Sequence, residues 1–130
     1  MTPRRDALLW CLLAYTAASL FHYSHNATFL ADYPNLPAWL TRAEVYAAWL
    51  AVTAVGVAGY ALVTTGFESA GLFVLTIYGL MGLDGLGHYA VAPMSAHTLA
   101  MNASIWLEAA TAIAVLVAIA RLKLSRSNRE

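Results

Sequence analysis

The chain alternates long apolar runs with short polar connections. Four runs stand out, over residues 7–23, 45–64, 71–91 and 101–122. Each is close to the roughly 20 residues that a helix needs to cross the hydrocarbon core of a bilayer, the first being the shortest. Local signals refine the ends. Thr41-Arg42-Ala43-Glu44 has the form of a capping box opening the second helix, and Pro93 followed by Ser95 predicts that the fourth begins ahead of its apolar run with Ser95 as N-cap. The expected helices are therefore 7–24, 43–64, 71–91 and 96–122, folded up and down into one four-helix domain over 1–130. The connection 24–44 carries Pro34 and Pro37, and its Leu36-Pro37-Ala38-Trp39-Leu40 segment suits the membrane surface. The short connection 65–70, with Glu68, is expected as a loop at the opposite end.

Composition fixes the class. With 61% hydrophobic and only 11% charged residues, the chain is too apolar for an ordinary soluble domain and reads as an all-α integral membrane protein whose main partner is the lipid bilayer. Arg4 and Arg5 ahead of the first run outline a signal peptide, but no small-x-small cleavage site follows, so the segment is taken as a spanning helix. A formal net charge of zero and the lack of a basic run argue against a nucleic-acid partner. Cys11 is the single cysteine, so an intrachain disulfide and a cysteine-based metal knuckle are both ruled out.

Arg4, Arg5, Arg121, Lys123, Arg126 and Arg129 flank the bundle, leaving Arg42 as the one basic residue at the other end. The positive-inside rule then puts both termini in the cytoplasm, and the expected location is a bacterial inner membrane with connections 24–44 and 92–100 facing the periplasm. Tyr23, Tyr33, Trp39, Tyr46 and Tyr89 would form an aromatic belt at that outer interface. His22-Tyr23 and His88-Tyr89, with Trp49-Leu50 and Trp106-Leu107, hint at a duplicated helical hairpin; two dipeptides in so biased a composition also match by chance.

The chemistry-bearing residues are concentrated. His22, His25, Asp84, His88, His97 and Glu108 all fall in the outer half of the expected bundle. His22 and His25 are three apart and Asp84 and His88 four apart, so each pair shares a helix face and forms a candidate chelating pair. His97, Met101, Ser104 and Glu108 line one stripe if the last helix starts near Ser95. At ~1.5 Å of rise per residue, His22 and His88 lie about 10 Å above the midplane and Asp84 and Glu108 about 5 Å, giving histidines above carboxylates. Each charge at the centre of a spanning helix costs about 2.5 to 3.5 kcal/mol, and no lysine or arginine is expected buried in the apolar segments to pair with the acids. Gly79, Gly82 and Gly85 repeat every three residues on a side expected to lie opposite Asp84 and His88, where a neighbouring helix can approach.

Imidazole with carboxylate suits zinc or non-haem iron, with copper or haem less favoured. The expected metal set is His22, His25, His88, His97 and Asp84, with His22 and His88 the leading cofactor ligands. Glu108 would be a general acid or base, burial favouring its neutral form, and Asp84 would share catalysis or orient His88. Such a site could serve a zinc- or iron-dependent hydrolase or oxidase acting on an apolar small molecule. Two alternatives stand beside it: a single-haem electron-transfer protein, and a non-enzymatic module for metal or proton handling, pH sensing or a larger complex. Four helices leave little room for a large substrate, which homo-oligomerisation would relieve.

Overall fold

A computed structural model describes residues 3–127, and every regular element among them is helical. α1 covers Pro3–Thr28, α2 Arg42–Thr64, α3 Glu68–Met81, α4 the single turn His88–Val91, and α5 Leu99–Ser127. Short 3-10 turns at Asp84–Gly87 and Met94–Ala96 flank α4. Four segments are long and apolar enough to cross a membrane: Arg5–Thr28, Arg42–Thr64, Glu68–Val91 and Leu99–Ser125. Of the basic residues behind the expected topology, Arg129 and the side chains of Arg4 and Arg126 lie outside the described residues.

α1 begins four residues before 7 and α5 ends five past 122, and four further departures from expectation have a local cause. α1 runs four residues past 24, to Thr28, whose hydroxyl donates back to the Ser24 carbonyl at 2.8 Å. Polar Asn26 and Thr28 read as loop, yet their side chains bond along the helix, to His22 and to the Ser24 carbonyl. Glu68 opens α3 instead of lying in a loop, and Arg5 donates to its carboxylate at 2.6 Å. The third crossing is not one α-helix. Its glycines at 82, 85 and 87 weaken helical preference, and after Met81 the backbone tightens into the 3-10 turn before α4 resumes. Ser95 is not the cap of the last helix. The turn after Pro93 uses that stretch, with Ala96 N–H donating to the Pro93 carbonyl, and Thr98 caps α5 by accepting the Met101 N–H at 3.2 Å. By contrast the Thr41–Glu44 capping box is present: Thr41 accepts from the Glu44 N–H, and the Glu44 carboxylate accepts from the Thr41 N–H at 2.7 Å.

The four crossings close into a ring in which α1 packs on α5, α2 on α3, α1 on α2 and α3 on α5. The ring has two unlike halves. Toward the termini the core is apolar, built from Leu8, Leu12, Leu72, Leu75, Val115 and Ile119, with Tyr15 and Tyr78 in ring contact at 4.6 Å. Toward the histidines the buried residues include Ser19, His22, His97, Ser104 and Glu108. Gly82 marks the boundary. A Cβ there would lie 2.6 Å from both the Tyr15 ring and the Ala112 methyl, so the close approach of the third crossing to α1 and α5 requires glycine. On the outside, Trp10, Leu50, Val57, Phe73 and Trp106 stand exposed, as expected of surfaces that lipid would cover.

Candidate functional site

The site begins with two stripes that meet. On α1, Tyr15, Ser19, His22 and Asn26 follow the four-three-four spacing that keeps residues on one helix face. On α5, Met101, Ser104 and Glu108 do the same, and the packing of α1 on α5 brings the stripes together. Gly85 of the 3-10 turn closes the third side: a Cβ there would lie 2.9 Å from a Glu108 oxygen and 3.5 Å from His22 Nε2. Gly79, Gly82 and Gly85 thus form the close-packing face, but that face ends against the polar site and is not turned away from it.

The tautomer of His22 follows the direction of the Ser104 hydrogen. The Ser104 hydroxyl lies 2.9 Å from the Met101 carbonyl and 3.0 Å from His22 Nδ1. With the hydrogen on the carbonyl, Nδ1 carries the imidazole proton and Nε2 presents a lone pair. That lone pair accepts from the Asn26 amide nitrogen at 3.2 Å and faces the Glu108 carboxyl at 3.6 Å. Both His22 and Glu108 are 2% exposed. The same Asn26 nitrogen lies 3.4 Å from His88 Nε2, so one amide ties the two imidazoles, while Asn26 Oδ1 is buried without a hydrogen-bond partner among the described residues.

Above this floor sits a layer of aromatic rings. Tyr33 was expected in an interfacial belt but is buried, with its hydroxyl 2.8 Å from His25 Nδ1 and its ring 5.0 Å from that of His88. Burial pushes the Tyr33 phenol above its ordinary value. His97, ahead of α5, donates from Nδ1 to the Pro93 carbonyl at 3.0 Å and leaves Nε2 buried without a partner among the described residues. Its ring is 6.0 Å from His88 and 5.4 Å from Tyr89. Asn35, in the left-handed region at φ 59°, holds the loop over these rings by donating to the Val91 carbonyl at 2.9 Å. Of the expected belt, Trp39 and Tyr46 are exposed, and Tyr23 and Tyr89 are half-buried.

A cavity of about 320 Å³ opens beside the floor. His22, Asn26 and Glu108 supply its polar base, Asp84 and His88 its rim, and Leu36, Leu40, Val45 and Ala48 its apolar wall. Among the described residues, no lysine or arginine lines it.

The structure therefore gathers the four histidines and Glu108 at one end, in an arrangement unlike the expected layers. His22 and Glu108 lie side by side. Asp84 is exposed at the cavity rim instead of buried below the histidines, because the 3-10 turn replaces the α-helical face it was expected to share with His88. His25 bonds to Tyr33 and stacks near Phe29 at 4.7 Å. Among the described residues, no three His, Cys, Asp or Glu side chains are grouped so as to hold a metal ion. Ser19, Asn26 and Tyr33 are site residues that the sequence reading missed. The spacing of the α1 stripe could have found the first two; nothing in the pattern marks Tyr33. No family model matches the chain, and no curated protein or solved structure is similar to it.

Proposed function

We propose that the protein is a membrane-embedded proton-binding module, with its histidine end toward the periplasm of a bacterial inner membrane. The observation that carries this reading is the His22–Glu108 pair: a buried imidazole nitrogen 3.6 Å from a buried carboxyl, in a site that no lysine or arginine lines among the described residues. Burying a carboxylate beside an imidazolium means desolvating two charges, whereas one proton on Glu108 leaves both groups neutral. The groups that act on Glu108 are Tyr15 and Tyr23 from α1, Tyr78 from α3 and Asp84 from the 3-10 turn, while His25 and His88 act on His22 and Glu44 of α2 lines the adjoining cavity. The flanking arginines and lysine support the orientation by the positive-inside rule.

Zinc or iron receives less support, because the ligands do not converge. Haem receives less again, since the Asn26 amide occupies the space between His22 and His88. The test is a proton count combined with metal analysis by mass spectrometry on detergent-purified protein. The proton reading expects Glu108→Gln to titrate one proton fewer than wild type and both proteins to be metal-free. Stoichiometric zinc or iron, lost in His88→Ala, would overturn it in favour of a metal centre.

A further inference from the structure

The cavity beside the pair has its own chemistry. Two of its polar groups are acceptors without a donor. Asn26 spends its amide hydrogens on His22 and His88, which leaves Oδ1 buried and unpartnered among the described residues. The Asp84 carboxylate at the rim has no ion-pair partner among the described residues, and Glu44 adds a second carboxylate to the lining. The walls are aliphatic, from Leu36, Leu40, Val45 and Ala48. A neutral alcohol brings one donor to this base and an anion brings none, but a primary ammonium brings three donors and a positive charge. At about 320 Å³ the space is at the lower end of small-molecule sites, so the apolar body must be short.

We propose that this cavity binds a small lipophilic primary amine in its protonated form, the ammonium set between Asp84 and Asn26 Oδ1 and the alkyl or aryl body along the Leu36, Leu40 and Ala48 wall. An uncompensated carboxylate within a spanning segment is costly, and a bound cation offsets that cost where the chain supplies no basic residue. The Tyr33 loop roofs the neighbouring histidines and leaves the rim at Asp84 exposed, so entry is from the Asp84 side. This inference builds on the proton-binding reading of the same floor.

The experiment is calorimetric titration of the protein in lipid nanodiscs, with empty discs subtracted, using n-hexylamine at neutral pH, n-hexanol and hexanoate. The expected result is saturable binding of hexylamine, at least tenfold weaker binding of hexanol and none of hexanoate. Asp84→Asn, at an exposed position, should weaken hexylamine at least tenfold, and Ala48→Phe should abolish binding by filling the wall without touching a polar group. Equal binding of hexanol and hexylamine, binding unchanged in Asp84→Asn, or no hexylamine binding to wild type would each overturn the proposal. Absence of hexylamine binding with the Glu108 proton still present would sink the amine alone. Loss of the proton reading with hexylamine binding intact would leave the amine standing.

Discussion

At the scale of single residues, the site depends on Ser104 having only one hydrogen to give. With that hydrogen on the Met101 carbonyl, His22 has Nδ1 protonated and Nε2 accepting from Asn26 beside Glu108. Ser104→Ala should leave a buried imidazole N–H unsatisfied, costing about 1–3 kcal/mol, and should release the tautomer. Nitrogen NMR of labelled histidine checks this: a single Nδ1–H signature for His22 in wild type and a mixture in the variant are expected. A mixture already in wild type would remove the basis for the open lone pair. The residue types of this site were legible in the sequence, since four histidines and two acids in otherwise apolar helices are conspicuous. Their roles were not. Asp84 and Glu108 look alike as letters, and only the 3-10 turn exposes one and the α1–α5 packing buries the other.

At the scale of elements, the third crossing and the 29–41 loop decide the geometry. Gly82→Leu places a side chain where even a Cβ would come within 2.6 Å of Tyr15 and Ala112, so helix association should fail, with a large fall in thermal stability in detergent. Normal stability in that variant would mean the crossing is not packed as described. Tyr33 gives the loop a pH limit. Its phenol is neutral when folded and its titration is pushed up by burial, so the loop's contribution is fully present below the ordinary phenol value of about 10 and is lost as pH rises through the higher folded value. The ultraviolet difference between wild type and Tyr33→Phe should show one tyrosine ionising late, together with opening of the loop; ionisation at the ordinary value would contradict its burial. Periodicity gave the helices to within a few residues, and the Thr41 box was readable letter by letter. What it could not show was the break after Met81 or the turn that displaces Ser95, because both come from glycine and proline geometry inside stretches whose hydropathy is unbroken.

At the scale of the whole molecule, a ring of four helices divides into an apolar half and a polar half along its axis. The apolar half, with Tyr15 and Tyr78 at its upper limit, supplies the packing. The polar half supplies a site that faces one end only, so the proton-binding proposal expects exchange with that side. Reporter fusions at the two termini should both read cytoplasmic, and opposite readings would invert or break this topology. The central claim of the proposal is that Glu108 holds a proton beside a neutral His22. Infrared difference spectroscopy of bilayer-reconstituted protein tests it most directly. A protonated-carboxyl band at neutral pH, missing in Glu108→Gln and displaced in His22→Gln, is the result this account predicts; a spectrum in which Glu108→Gln removes only a carboxylate band would contradict it.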